Sequence, residues 1–276
     1  MKYLILLLTI LNANADIFDQ DDRLQIKDAP LEIQNIGQSV GALIRKSNLT
    51  NLPSGDFALQ GMPLIEKMNF CPDERFAHES IIANCSGALI SENTFLTAAH
   101  CIDEDNGASC DQYAISFDYV SNTDQQKNFT SKKENTYFCK KVVKVLADKN
   151  YMGRDLIVIE LDRNVVNRKP LHVRKEKPEI GEEIFMIGFP LGISQKYTHN
   201  GFIEKNDIFR DSFIHHLDTF SVNSGSPIFS TENNDIIGVL VRGTGMNTVK
   251  DGECYRWGVD AKSSGYGAGN FLNNFF

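Results

Sequence analysis

Leu96-Thr97-Ala98-Ala99-His100-Cys101 follows a short apolar run, CSGALI, at residues 85–90. Downstream, residues 155–161 read DLIVIEL and residues 223–227 read NSGSP. Each segment lies where an apolar run meets small or polar residues, which is typical of the junction between a strand and a loop. Together the segments supply a histidine, an aspartate and a serine at such junctions.

These three side chains suit nucleophilic catalysis. A serine hydroxyl is a poor nucleophile at neutral pH, so a histidine must take its proton during the attack. A buried carboxylate must hold the imidazole in the useful tautomer and stabilise its charged form. Taken singly, His100, Asp155 and Ser224 would each be interpreted as a structural or turn residue. The prediction therefore depends on their joint occurrence.

The segments resemble the signatures of chymotrypsin/trypsin-like serine proteases, in that family's order of His, Asp and Ser. They are most like the bacterial branch that contains glutamyl endopeptidases, where N-S-G-S-P often replaces trypsin's D-S-G-G-P. The resemblance extends from about residue 39 to about residue 259. It implies that Ser224 is the nucleophile, His100 the general base and acid, and Asp155 the orienting carboxylate.

Two nearby features need an interpretation. Ser226 is a rival nucleophile, but alignment with the family puts the reactive serine directly after Asn223. The pair His215-His216 suggests a metal site, yet neighbouring strand residues point to opposite faces. We interpret both histidines as structural or surface residues, and we expect neither a metal nor a cofactor.

The remaining chain predicts an all-β fold. About a dozen short runs rich in Val, Ile, Phe and Tyr, the last at residues 255–259, alternate with polar turns, which indicates a sandwich or barrel. The resemblance implies two antiparallel six-stranded β-barrels with the active site in the cleft between them. We therefore expect a peptidase domain at 39–276. Its first barrel covers about 39–163, its second barrel about 164–262, and a C-terminal tail 263–276.

The N-terminus predicts export. Lys2 precedes an apolar run at residues 3–11, and Ala13-Asn14-Ala15 forms a small-x-small cleavage site, as in secretory signal peptides. The run is too short to cross a bilayer. We expect a signal peptide at 1–15, then a polar lead-in at 16–38 that is partly a propeptide.

Composition limits the partners. The chain has 276 residues, 42% hydrophobic and 23% charged, with a formal net charge of -8. An acidic protein is poorly suited to nucleic acid or to an anionic membrane. We expect protein or peptide substrates, a monomer, no membrane partner after signal removal, and a bacterial extracellular or periplasmic location.

Six cysteines in an exported chain predict disulfides, although spacing alone leaves the connectivity open. Cys110 and Cys139 bracket a polar stretch, so a bridge between them is one pairing to test. The family resemblance implies a bridge between Cys85 and Cys101. Cys71 and Cys254 would then remain to pair with each other.

Specificity is predicted from four residues, Asp218, Thr219, Val241 and Gly243. Asp218 stands where trypsin has the acid of its primary pocket, and such an acid attracts Arg or Lys. The resemblance gives Gly243 the role of keeping the pocket open. Glutamyl endopeptidases use a histidine where this chain has Leu240, so cleavage after basic residues is the expectation. The alternative is that Asp218 caps a turn and never faces substrate.

The oxyanion hole departs from the family pattern. The resemblance assigns the two donors to the backbone N–H groups of Val222 and Ser224, but the family usually has glycine at the first position. A β-branched residue resists the backbone conformations that glycine reaches. Asn223 replaces the aspartate that pairs with a freed amine in trypsin-like zymogens, so that ion pair is not expected.

The sequence thus predicts a secreted serine endopeptidase that forms an acyl-enzyme. The rival is a catalytically impaired, protease-fold binding protein, which the intact triad argues against and Val222 argues for. An esterase of the α/β-hydrolase kind is disfavoured, because the G-x-S-x-G elbow is absent and the triad order differs.

Overall fold

Short strands dominate the computed structural model, which describes residues 15–102, 109–244, 248–260 and 265–276. The expected signal peptide, residues 1–15, lies outside the described residues except for Ala15. Within the described ranges, no helix has both the length and the apolar character needed to span a membrane.

The N-terminal segment is part of the fold rather than a loose lead-in. It contains β1 (Ala15–Phe18), β2 (Leu24–Gln25) and helix α1 (Leu31–Gly37). Arg23 is fully buried, with its guanidinium 4.1 Å from the centre of the Phe220 ring and its charge paired to Asp21. Ion pairing and aromatic contact allow part of this polar lead-in to be buried.

The first barrel is closed and six-stranded, in the order β10-β12-β13-β9-β8-β3. The elements of this half are β3 (Val40–Arg45), β4 (Leu49–Asn51), β5 (Phe57–Leu59), β6 (Met62–Pro63), α2 (Leu64–Met68), β7 (Ser80–Ile81), β8 (Cys85–Leu89), β9 (Thr94–Thr97), β10 (Tyr113–Ser116), β11 (Phe129–Ser131), β12 (Thr136–Ala147) and β13 (Asp155–Leu161). Phe95 and Ile115 are fully buried in its core, and burying one such side chain contributes about 1.5–3 kcal/mol.

The second barrel is closed as well. Its strands follow the order β14-β18-β19-β23-β16-β15, β15 pairs back with β14, and β2 extends the sheet beyond β15. The strands of this half are β14 (Glu183–Gly188), β15 (Lys196–Asp207), β16 (Ser212–His215), β17 (Thr219–Phe220), β18 (Pro227–Ser230), β19 (Ile236–Gly243), β20 (Thr248–Asp251), β21 (Cys254–Trp257), β22 (Val259–Asp260) and β23 (Gly267–Phe271). The predicted all-β architecture of two six-stranded barrels is confirmed.

One barrel strand was predicted wrongly. The expected last strand, around residue 255, forms the separate hairpin β20–β21, and β23 from the predicted tail closes the barrel. The sequence of β23, GAGNF, looks like a loop. The barrel needs those glycines, because a Cβ on Gly267 or Gly269 would clash with the rings of His215 and Phe213.

Three disulfides join the chain, pairing Cys71 with Cys254, Cys85 with Cys101 and Cys110 with Cys139. The first two bridges each join separate parts of the fold. Cys71–Cys254 ties the segment after α2 to the hairpin of the second half. Cys85–Cys101 ties β8 to the residue that follows His100.

Candidate active site

Strand pairing in the first barrel places His100 next to Asp155. β9 and β13 are antiparallel, with Ile157 opposite Thr97, so continuing the register brings Asp155, the first residue of β13, towards the turn that follows β9. That turn, Ala99–Ile102, carries His100. Two residues that are 55 positions apart thus meet at one end of the barrel.

Two hydrogen bonds fix the pair. The His100 backbone N–H donates to Asp155 Oδ1 at 2.9 Å, and His100 Nδ1 lies 2.6 Å from Asp155 Oδ2. The Asp155 side chain is 1% exposed and that of His100 is 32% exposed. Because a carboxylate can only accept, Nδ1 carries the proton and Nε2 is left as the basic nitrogen.

Ser224 comes from the second barrel. It lies in the turn between β17 and β18, and its carbonyl oxygen accepts a hydrogen bond of 2.8 Å from the Ser86 N–H. The Cys101 sulfur is 3.9 Å from the same oxygen. Gly225, at φ 84°, packs so closely on the Ser86 carbonyl that no Cβ fits there. The serine is thereby held beside the residue that follows His100.

The rival serine is not available for attack. Ser226 is fully buried, and its hydroxyl lies 2.6 Å from the Asn223 carbonyl oxygen and 2.9 Å from Asn223 Oδ1. Asn223 thus holds its own turn together from within.

The turn before Ser224 has an unusual backbone. Val222 has φ 70°, in the left-handed region that β-branched residues avoid. The carbonyl oxygen of Ser221 accepts a hydrogen bond of 2.8 Å from the Leu191 N–H. In the described part of the chain, no acceptor pairs with the N–H of Val222 or of Ser224. Two donors next to the nucleophile are therefore unengaged.

Comparison with known proteins agrees with this geometry. Residues 85–239 match the model of the family described as the trypsin-like peptidase domain. The chain belongs to this family. The matched region contains all three triad positions.

Individual relatives match over a shorter stretch. Snake venom serine protease pallabin and thrombin-like enzyme agkihpin-1, both from Gloydius halys, are each 32% identical over 120 residues. The match covers 42% of this chain and 42% and 46% of the two relatives, so it spans less than half of their length. A solved Glu endopeptidase shares the fold, with a TM-score of 0.54 and 17% identity over 94% of this chain and 95% of its own.

A cavity of about 450 Å³ opens next to the nucleophile of this trypsin-like peptidase. Of the residues predicted to bind substrate, Thr219, Val241 and Gly243 line it, together with Ser224. Its further lining residues are Phe220, Ser221, Val222, Leu240, Arg242, Thr244 and Tyr266.

Asp218 is not a wall of that pocket. Its carboxylate is 3% exposed, and Oδ1 accepts a hydrogen bond of 2.9 Å from the Phe18 N–H. Burial raises the pKa of Asp218 to about 8. The prediction of an acidic pocket floor is corrected because Asp218 faces the N-terminal segment, which the sequence did not place here.

Arg242 connects the two barrels close to the triad. Its guanidinium donates to the Gly153 carbonyl oxygen at 2.7 Å and to that of Tyr151 at 3.3 Å. Asn270 Nδ2 lies 3.1 Å from the same Gly153 oxygen. Gly153 precedes Asp155 by two residues, so side chains of the second barrel hold the approach to the triad aspartate.

Proposed function

We propose that this trypsin-like peptidase is an exported serine endopeptidase that cleaves proteins through an acyl-enzyme. The observation that carries the proposal is the 2.6 Å contact between His100 Nδ1 and the buried carboxylate of Asp155. This contact prepares His100 Nε2 to accept a proton, and Ser224 is held beside the same turn.

The chemistry follows from these roles. Ser224 Oγ attacks the scissile carbonyl carbon while its proton passes to His100 Nε2, and the carbonyl electrons move onto the oxygen. When the carbonyl re-forms, the C–N bond breaks and His100 gives the proton to the departing amine. A water molecule then gives a proton to His100 and attacks the ester carbonyl carbon. As the C–Oγ bond breaks, His100 returns that proton to Ser224 Oγ and the acid is released.

The oxyanion of this reaction needs donors, and we assign them to the N–H groups of Val222 and Ser224. In a trans peptide the carbonyl and the N–H point in opposite directions. Because the Ser221 carbonyl is turned towards Leu191, the Val222 N–H points away from it. This supports the donor arrangement, which the left-handed φ of Val222 maintains at a cost of about 1–2 kcal/mol.

A second candidate is a catalytically impaired binding protein with the same fold. The strained φ of Val222 is the observation that favours it. Turning the Ser221–Val222 peptide over would relieve the strain and replace a donor by a carbonyl. Losing one such donor typically lowers turnover by about 10²–10³-fold.

Export, substrate preference, source and oligomeric state are supported to different degrees. Three disulfides and the N-terminal pattern at residues 1–15 support export. The buried position of Asp218 gives no support to a preference for Arg or Lys. A bacterial source and a monomeric state stay predictions from the sequence.

Hydrolysis of casein and of a mixed peptide library by the purified protein tests the proposal. We expect Ser224→Ala and His100→Ala to abolish cleavage, and Ser226→Ala to serve as the matched control that keeps Ser224 labelling by a fluorophosphonate. Absence of both labelling and cleavage in a correctly folded wild-type protein would favour the binding-protein alternative.

A further inference from the structure

Part of the wall of the cavity beside Ser224 is held from behind by the N-terminal segment, residues 16–25. Thr219 and Phe220 line that cavity and form β17. β1 pairs with β17 in antiparallel register, with Asp16 opposite Thr219. The segment therefore supports two of the residues that shape the cavity.

Arg23 contacts this wall through the ring of Phe220. Its side chain is fully buried, and the centre of the Phe220 ring lies 4.1 Å from the central carbon of its guanidinium. The rings of Phe76 and Trp257 are each 5.2 Å from the same carbon. A cation within about 6 Å of an aromatic ring is attracted to it, and more strongly where water is excluded. Of these three rings, that of Phe220 belongs to a residue that lines the cavity.

An ion pair sets the orientation of the guanidinium. Arg23 Nε donates to Asp21 Oδ1 and Arg23 Nη2 donates to Asp21 Oδ2, both at 2.8 Å. Two parallel bonds of this kind fix the plane of the guanidinium. Arg75 donates to the carbonyl oxygens of Asp21 and Arg23 and so holds the backbone of this turn. The contact between Arg23 and Phe220 is therefore fixed on the side of the segment.

Other contacts hold the nucleophile. The Ser86 N–H donates to the Ser224 carbonyl oxygen, and the Leu191 N–H donates to that of Ser221, both at 2.8 Å. Neither bond involves the N-terminal segment. Loss of Arg23 should therefore move the cavity wall more than it moves the reacting hydroxyl.

We infer that Arg23 is a positioning residue for substrate binding, which acts through Phe220, and that the active peptidase retains the segment 16–25. The inference rests on the proposed peptidase function. It gives a role to a segment that the sequence presents as a lead-in and in part a propeptide. A propeptide that included Arg23 would remove the support of Phe220 when it left.

Replacing Arg23 tests the positioning role. Arg23→Met keeps an unbranched side chain but removes the charge and the ion pair. We expect it to raise KM for peptide substrates by about 10–100-fold while kcat falls by less than about threefold, because the wall is displaced and the triad is not. Arg23→Lys keeps the charge but loses the planar two-bond contact with Asp21, so it should raise KM by about 3–10-fold.

A second substitution tests whether Arg23 acts through the ring. Coupled residues have non-additive effects. Phe220→Leu removes the ring, so adding Arg23→Met to it should change KM by less than about threefold. If Arg23→Met raises KM by the same factor with and without the Phe220 ring, the role assigned to Phe220 is wrong.

Arg163→Met is the matched control. The guanidinium of Arg163 also lies 4.1 Å from an aromatic ring, that of Tyr137, and is also paired to the preceding aspartate, Asp162. This arrangement is in the first barrel and at a more exposed position. Tyr137 does not line the cavity, so we expect KM and kcat to keep their wild-type values.

The intact mass of the active wild-type protein tests retention of the segment. The protein is labelled at Ser224 with a fluorophosphonate, and its N-terminus is read from the mass of the labelled form. We expect the labelled, peptide-cleaving form to contain Arg23. A labelled form that begins after Arg23 and cleaves peptides with the wild-type KM would overturn the inference.

Failure of the proposed function is distinguishable from failure of the inference. Absence of Ser224 labelling in the folded wild-type protein overturns both. With labelling present, an unchanged KM in Arg23→Met, or an equal rise in KM in Arg163→Met, overturns the inference alone. Kinetic constants are expressed per labelled site, so a loss of folded protein does not imitate a rise in KM. If Arg23→Met does not fold, Arg23→Lys decides, and a wild-type KM in that variant overturns the inference.

Discussion

Replacing Asp218 by asparagine should make the stability of this protein less dependent on pH. The pKa of Asp218 is raised to about 8, mainly by burial, whereas an unfolded aspartate titrates near 3.9. Between about pH 4 and pH 8 the folded state therefore holds a proton that the unfolded state has lost. Stability due to this group is complete below about pH 4 and falls as pH rises to about 8.

The size of the effect follows from proton linkage. A group that is protonated only in the folded state changes the free energy of unfolding by at most about 1.4 kcal/mol per pH unit. Asp22 lies beside Asp218, and burial raises its pKa too, so the measured difference includes their coupling. In Asp218→Asn the side-chain carbonyl still accepts from Phe18, but the linked proton is gone.

Urea unfolding at pH 5, 6, 7 and 8 with the disulfides intact measures this difference. We expect the free energy of unfolding of the wild type to fall more steeply with pH than that of Asp218→Asn, by up to about 1.4 kcal/mol per unit. Asp28→Asn, at an exposed carboxylate, should keep the wild-type slope. Equal slopes in the wild type and Asp218→Asn would refute the assignment of a buried, protonated Asp218.

Three further substitutions test the account. Val222→Gly should raise kcat/KM by up to about tenfold, since it removes about 1–2 kcal/mol of left-handed strain; a loss of activity in peptide assays would contradict this. Arg242→Met should lower kcat by about 10–100-fold with a smaller change in KM, because the bonds to the Gly153 carbonyl that position the triad aspartate are lost; unchanged kcat argues against a positioning role. Lys196→Met should lower the free energy of unfolding by about 3–5 kcal/mol in urea, because it leaves the fully buried Glu79 without its cationic partner at 2.8 Å; an unchanged free energy of unfolding would contradict this.

Local patterns in the sequence were sufficient for most of the architecture. Most strands of both barrels are short runs rich in β-branched and aromatic residues between polar turns, so residue type and turn residues identify them. The strand at Gly267–Phe271 was missed because its character depends on its neighbours. Its small residues are required by the rings of His215 and Phe213 on the adjoining strand, which no local pattern records.

The N-terminal segment shows a second limit of local reasoning. Residues 16–38 are polar, and composition alone favours a loop. Arg23 is nevertheless buried, because Asp21 and the ring of Phe220 offset the loss of its hydration. The contacts of Arg23 with Phe220 and of Phe18 with Asp218 join distant parts of the chain, so no local pattern shows that this segment covers Asp218.

The residues of the candidate site also differ in whether the sequence alone identifies them. His100, Asp155 and Ser224 lie in three motifs that predict a triad when they occur together and in this order. Thr219 could be named from its place in the family pattern. The bond from Arg242 to the Gly153 carbonyl oxygen could not, because it joins residues 89 positions apart.

The most direct test of the central claim is the intact mass of the purified protein after reaction with diisopropyl fluorophosphate, followed by peptide mapping. The account predicts one phosphoryl adduct on Ser224, none in Ser224→Ala, and a labelling rate that falls by orders of magnitude in His100→Ala. An adduct on Ser226, or labelling that is independent of His100, would contradict the triad.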